Sequence, residues 1–208
     1  MSDRALRPCG DTGILVELGE LDDVLALHAA LRADPPPGIV DLVPAARTIL
    51  VRVRRRDDLP AVADALRRLP LVRRTTLDAP SSSPLTIPVR YDGDVLPDVA
   101  AATGLSVEAG IDAHTGQTWT VAFTGFATGF GYLVGVGTVL SVRRREVSRQ
   151  RVPAGAVGLA GEFSGVYPRE SPGGWQLIGS TSAVLWQPDR DPPALFTPGT
   201  RVRFEVDR

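Results

Sequence analysis

Hydrophobic and polar positions change period along the chain, and the changes mark out its elements. Gly13 to Leu18 (GILVEL) is a short apolar run between Gly10 and Gly19, the length of a buried strand. Asp22 then predicts the cap of a helix whose apolar side carries Leu21, Val24, Leu25 and Leu31, with His28 on its edge. Pro35, Pro36, Pro37 and Gly38 end that helix, and Ile39 to Val43 and Thr48 to Val53 read as strands. In the second of these, Ile49, Val51 and Val53 fall on one face. A second helix is predicted from about Asp58, with Pro60 in its first turn and a stripe of Leu59, Val62, Ala63, Leu66 and Leu69. The order strand, helix, strand, strand, helix predicts a small α+β sandwich with two helices on one face of an antiparallel sheet.

Arg73 to Pro84 (RRTTLDAPSSSP) combines proline, serine and charge with no apolar period, as a joint between domains does. The expected organisation is therefore an N-terminal α+β domain over 1–80 and a second domain over 81–208. The second part begins with an apolar run, Leu85 to Val89, and two short helices, Leu96 to Ala102 and Ser106 to His114, with Ser106 as a cap. Short runs punctuated by glycine follow at Thr118–Phe123, Val152–Leu159, Trp175–Ile178, Ala183–Trp186 and Arg201–Val206. Many short strands with glycine and proline turns predict a β-barrel or sandwich.

Composition narrows the chemistry. The 208 residues carry a net charge of −1, which gives no general attraction to nucleic acid or to an anionic membrane. All 23 basic residues are arginine. Without lysine the chain carries no Walker A phosphate loop, no Schiff-base amine and no biotinyl attachment site. The single cysteine, Cys9, forms neither an internal disulfide nor a zinc site, which fits a reducing, cytoplasmic setting; no signal peptide is visible and no metal is expected. Thr115 to Val142 runs 28 residues without a charge, but its six glycines and six threonines fit turns and strands better than a membrane helix.

Candidate chemistry concentrates where glycine and proline alternate with aromatic rings. The segments are Thr124–Leu133 (TGFATGFGYL), Arg151–Gly161 (RVPAGAVGLAG) and Tyr167–Gly179 (YPRESPGGWQLIG). Glycine and proline make rigid turns, so Phe126, Phe130, Tyr132, Tyr167 and Trp175 are expected as anchors lining a cleft or a subunit interface, or as tight barrel corners. Arg143, Arg144, Arg145, Arg149 and Arg151 form a basic cluster suited to a carboxylate, a phosphate or an acidic partner, and Arg151 is favoured because it opens the VPAG segment. His114 is a candidate general base by its ordinary near-neutral pKa, or else a helix-end side chain. Ser164 lacks the glycine two residues earlier that a nucleophile elbow requires.

These segments closely resemble the family of the 5-oxoprolinase B component, which also includes the sporulation-kinase inhibitor KipI and the domain called allophanate hydrolase subunit 1. The resemblance extends to Gly10–Glu17, Gly38–Pro44 and Arg47–Val51, and to Asp189–Pro198 and Gly199–Phe204. It implies an N-terminal α+β domain followed by a cyclophilin-like β-barrel domain. It also implies assembly with a C component (allophanate hydrolase subunit 2-like) and an A component (LamB/YcsF-like). Such a complex converts 5-oxo-L-proline, a small amide, to L-glutamate with ATP and Mg, and this chain itself is expected to bind no cofactor. Placed against the family motifs, His114 is a catalytic candidate. Gly125, Phe126, Gly129, Phe130, Tyr132, Arg151, Pro153, Ala154, Gly155, Tyr167, Ser171, Pro172, Gly173, Gly174 and Trp175 are expected to line the substrate site or an interface. Two departures stand out: Thr128 replaces a usual proline, and Gly179-Ser180-Thr181-Ser182 replaces a usual GRTP. Regulation of a histidine kinase, and carboxyltransferase-like work on urea or another amide, remain open beside the oxoprolinase reading.

Overall fold

In the computed structural model, residues 4–71, 83–137 and 139–207 are described. The chain divides into two compact units, Met1–Asp78 and Ala79–Arg208. Most of the joint expected at 73–84 lies outside the described residues.

The first unit is a four-stranded antiparallel sheet in the order β1-β2-β4-β3, made of β1 (Ala5–Pro8), β2 (Gly13–Glu17), β3 (Ile39–Pro44) and β4 (Thr48–Val53). Ile14 and Val16 of β2 and Ile49, Val51 and Val53 of β4 are buried on one face. Helix α1 (Leu21–Ala33) packs on β3 and β4, and α2 (Leu59–Arg68) packs on β2. Val24, Leu27 and Leu31 of α1 and Val62 and Leu66 of α2 are fully buried, a 3.6-residue stripe meeting a two-residue alternation. Two details differ from the sequence expectation. Asp22 lies in the first turn of α1, where its charge faces the positive end of the helix dipole, and Glu20 holds the cap position. Strand β1, an edge strand with little alternation, was not anticipated. Arg4, next to it, donates to the carbonyls of Leu66 and Leu69 and so satisfies the C-terminal end of α2.

The second unit contains β5 (Leu85–Val89), α3 (Leu96–Thr103), α4 (Val107–Thr115), β6 (Trp119–Thr124), β7 (Gly131–Val134), β8 (Arg149–Val152), β9 (Ala156–Ala160), β10 (Phe163–Val166), β11 (Ser171–Gly173), β12 (Gln176–Ser180) and β13 (Arg201–Val206). Seven strands form one sheet in the order β12-β9-β10-β7-β6-β13-β5. Its two edges meet where Arg90 and Ser180 exchange both backbone hydrogen bonds at 2.8 Å, so the sheet curls into a nearly closed barrel. The α+β class and the barrel are thus both present. Ser106 caps α4 through its Oγ, which accepts from the Ala109 N–H at 3.1 Å.

Two strand expectations change. Val152–Leu159 is two strands, β8 and β9, broken at Pro153–Gly155 where Gly155 turns through φ +79°. Ala183–Trp186 is not a strand: the Arg190 guanidinium binds the carbonyls of Val184, Leu185 and Pro193 instead. The uncharged span supplies the end of α4, then β6 and β7. Among the described residues no helix is long and apolar enough to cross a membrane.

Candidate functional site

Strand β9 shows how the barrel acquires a second buried surface. All five of its residues are buried. Val157 and Leu159 join the barrel core with Trp119, Leu133, Phe196 and Phe204. Ala156 and Ala160 face the other way, against Phe130, Val152, Tyr167 and Trp175. Small side chains there let large rings lie flat on the outside of the sheet. The rings meet edge to face: Phe130 and Trp175 at 5.3 Å and 90°, Phe130 and Tyr167 at 5.4 Å and 74°, Tyr132 and Trp175 at 5.6 Å and 63°. They form part of the wall of a surface-open cavity of about 450 Å³ lined by Phe126, Phe130, Tyr132, Arg143, Arg144, Ala160, Gly161, Phe163, Tyr167, Gly173 and Trp175. That volume lies within the range of small-molecule sites.

The rim comes from the β6–β7 loop, which is built of two successive tight turns. The Ala127 N–H donates to the Gly125 carbonyl at 2.7 Å, a three-residue turn that holds Phe126 at φ +65°. The Phe130 N–H then donates to the Ala127 carbonyl at 2.9 Å, with Gly129 at φ +84°. The second turn is type II, which needs glycine at its third position and favours proline at its second, where Thr128 stands. Positive φ is costly for a phenylalanine. Its side chain is nonetheless 57% exposed above Phe130 and Tyr167.

The floor depends on a pair of glycines. A Cβ on Gly173 would stand 2.3 Å from the Tyr167 hydroxyl. One on Gly174 would stand 2.9 Å from Ser148 Oγ and 3.6 Å from the Arg144 guanidinium. The SPGGW sequence is therefore the room in which Tyr167 and Arg144 approach the ring cluster. Burial raises the Tyr132 and Tyr167 phenols, and the nearby Arg144 charge opposes the rise in both; a hydrogen bond from the Trp175 backbone also lowers Tyr167.

Of the expected lining residues, Phe126, Phe130, Tyr132, Tyr167, Gly173 and Trp175 line this cavity, while Gly125, Gly129 and Gly174 shape its rim and floor. Others stand elsewhere. Arg151 pairs through two nitrogens with Glu170, at 3.0 and 2.9 Å, on the exposed β8–β11 ribbon. Ser171 donates to the Arg169 carbonyl, Pro172 is exposed, and Pro153, Ala154 and Gly155 form the turn before β9. The sequence favours Arg151 within the basic cluster, but Arg143 and Arg144 are the arginines at the cavity. They follow directly on the long uncharged span, the one signal that could have marked them. Ala160 and Gly161 end the glycine-rich segment Arg151–Gly161 without being individual candidates, and Phe163 lies outside the candidate segments. Ser180, the departure from GRTP, closes the barrel through its backbone and donates from its side chain to Asp92.

His114 is placed in the barrel core. It is 1% exposed and stacked on Phe204 at 4.4 Å. Its Nδ1 is 2.7 Å from the Tyr91 hydroxyl and its Nε2 is 2.9 Å from Ser164 Oγ. Both partners are hydroxyls that donate or accept, so either neutral tautomer is satisfied. Burial pushes its pKa down to about 3, the wrong side of neutrality for a general base. It does not line the aromatic cavity. The geometry gives it a core hydrogen-bonding role. As to ATP and Mg, the lining has no carboxylate to hold a divalent cation and no lysine for phosphates, so this cavity does not fit a magnesium-nucleotide pair.

Comparison with known proteins agrees over nearly the whole chain. Residues 4–196 match the family described as carboxyltransferase domain, subdomain C and D. The chain is 39% identical over 204 residues to the B component of 5-oxoprolinase from Escherichia coli O157:H7, covering 94% of this chain and 92% of that protein. It is 32% identical over 223 residues to the B component of 5-oxoprolinase from Bacillus subtilis (strain 168), covering 94% and 89%. Among solved structures it resembles TTHA0988, with a TM-score of 0.73 and 36% identity, over 98% of this chain but 40% of that one. The Kluyveromyces lactis urea amidolyase shares the fold at a TM-score of 0.76 and 19% identity, over 99% of this chain and 15% of that one. This chain therefore belongs to the carboxyltransferase C and D subdomain family, and within it to the group named for the B component of 5-oxoprolinase.

Proposed function

We propose that this chain is the B component of a multi-subunit, ATP-dependent 5-oxoprolinase, which opens the ring amide of 5-oxo-L-proline to L-glutamate. The observation that carries the reading is the 39% identity to a 5-oxoprolinase B component, extending over 94% of this chain and 92% of its relative. The aromatic cavity supports it, since it offers a pre-formed place walled by rings for a small ring. This chain's share of the work is binding and orientation: its rings exclude water and its arginines neutralise negative charge. Phosphoryl chemistry belongs to the LamB/YcsF-like partner (the A component), because this chain has no lysine and its cavity no carboxylate. The strained, exposed Phe126 at the rim is the part offered to the allophanate hydrolase subunit 2-like partner (the C component).

The test is reconstitution. The purified chain alone shows no 5-oxo-L-proline-dependent ATP hydrolysis, and adding both partners restores it, with glutamate as product and urea inert in the same assay. A three-part mixture that stays inactive on 5-oxo-L-proline overturns the assignment.

A further inference from the structure

The aromatic cavity is uneven in charge. Arg143 and Arg144 line it, and no acidic side chain does. Some arginines elsewhere have carboxylate partners, Arg7 with Glu17, Arg67 with Asp64, Arg149 with Asp94 and Arg151 with Glu170, while others on the surface have none among the described residues. Among the described residues Arg143 and Arg144 have none, so their positive charge faces the cavity uncompensated. The same two side chains also line a neighbouring cavity of about 400 Å³. That cavity contains Asp98, so the aromatic side is the one that lacks an anion.

The arm bearing these arginines is fixed in place. Val142 and Gly161 exchange backbone hydrogen bonds at 3.1 and 2.6 Å. The Arg145 N–H donates to the Gly174 carbonyl at 2.8 Å, and Gln176 Nε2 donates to the Arg143 carbonyl at 3.1 Å. Beside the arm stands Tyr132, stacked on Phe123 at 4.4 Å, whose hydroxyl makes no hydrogen bond among the described residues. Tyr167 differs, because its hydroxyl is packed against Gly173 at the floor. A guanidinium and a phenol with donors to spare, above a floor of rings, match a carboxylate attached to a flat body.

We propose that Arg144 and Tyr132 form a carboxylate-binding subsite at the edge of the aromatic cavity, which takes a small ring bearing one carboxylate. The proposal deepens the substrate reading of the same cavity and rests on it. Arg143 adds long-range attraction, and Phe130 and Trp175 supply the ring-stacking surface. Arg144 and Tyr132 are binding residues here, with no bond-making role.

Calorimetric titration of the full chain tests it with two matched pairs of probes. These are 5-oxo-L-proline against 2-pyrrolidinone, which is the same ring without the carboxylate, and benzoate against benzamide. The chain is expected to bind each acid about ten-fold more tightly than its uncharged mate, the scale of one charge-assisted contact. Arg144→Gln removes the preference, while Tyr132→Phe, which keeps the ring, reduces it about three-fold. Both variants must melt with the wild-type chain, so that lost binding is not lost folding. Equal binding of acid and uncharged mate, a preference that survives Arg144→Gln, or no binding of any probe by the wild-type chain overturns the subsite. An acid preference in a complex that does not hydrolyse 5-oxo-L-proline would instead sink the oxoprolinase assignment and leave the subsite standing.

Discussion

Gly173 shows how much of the candidate site rests on the absence of one carbon. Tyr167 is fully buried, and its hydroxyl occupies the place where a Cβ at position 173 would go. Gly173→Ala must displace either the ring or β11, at a cost of about 1–3 kcal/mol typical of overpacking. The expected outcome is a lower melting temperature together with altered Trp175 fluorescence, since Trp175 packs against Tyr167. Gly110, inside α4 with nothing near its Cβ position, is the internal control. There the same change is expected to stabilise by about 1 kcal/mol through helix propensity. If both substitutions lower stability alike in thermal melts, the packing account of Gly173 fails.

At the scale of elements, the β6–β7 hairpin joins the barrel to the cavity. Its type II turn places Thr128 where proline is favoured, and no backbone hydrogen bond from the Thr128 N–H exists among the described residues. Thr128→Pro is expected to stabilise the second unit by about 0.4–1 kcal/mol, because proline restricts the unfolded chain without losing a native bond. Denaturant unfolding followed by Trp fluorescence measures this directly; a destabilised variant would mean that the turn has another geometry. The departure from the family proline is thus a small loss of pre-organisation in a turn that still forms. The Ser180 departure is of another kind, since that residue is engaged with Asp92 at the seam of the barrel.

At the scale of the whole second unit, His114 ties distant segments together. It links α4 to Tyr91 after β5, to Ser164 on β10 and to Phe204 on β13. Its folded pKa of about 3 lies below the unfolded value of 6.5. The unfolded chain therefore binds the extra proton between those limits, and stability falls as pH drops through that window. One such group contributes a slope of at most about 1.4 kcal/mol per pH unit. His28, also lowered by burial and by Arg32, acts in the same direction within the first unit. Urea unfolding at pH 7 and pH 5 should show this loss in the wild-type chain, with a shallower dependence in His114→Gln. The variant should also be about 3 kcal/mol less stable at pH 7, because Ser164 and Tyr91 lose their shared partner. An unchanged pH slope in the variant would remove His114 from the account.

Sequence alone determined those parts whose cause is local. A helix or strand with one buried face writes its period into its residues, so α1, α2, β2, β4 and the short helices α3 and α4 were legible, as was Ser106 as a cap. Phe126, Phe130, Tyr132, Tyr167 and Trp175 stood out because aromatic rings set among turn-forming glycines are conspicuous wherever the chain places them. Strand β1 was not legible, since an edge strand with little burial has little pattern, and neither was the Arg190-bound loop that replaces a strand at 183–186. Tertiary structure decided which arginine reaches the cavity: Arg144 and Gly174 are neighbours only because β8, β9 and β11 fold back on one another. It also decided the place of His114, whose surroundings come from four separate segments. A side chain's period is set by its own element, but its dielectric and its partners are set by whatever the rest of the chain packs around it.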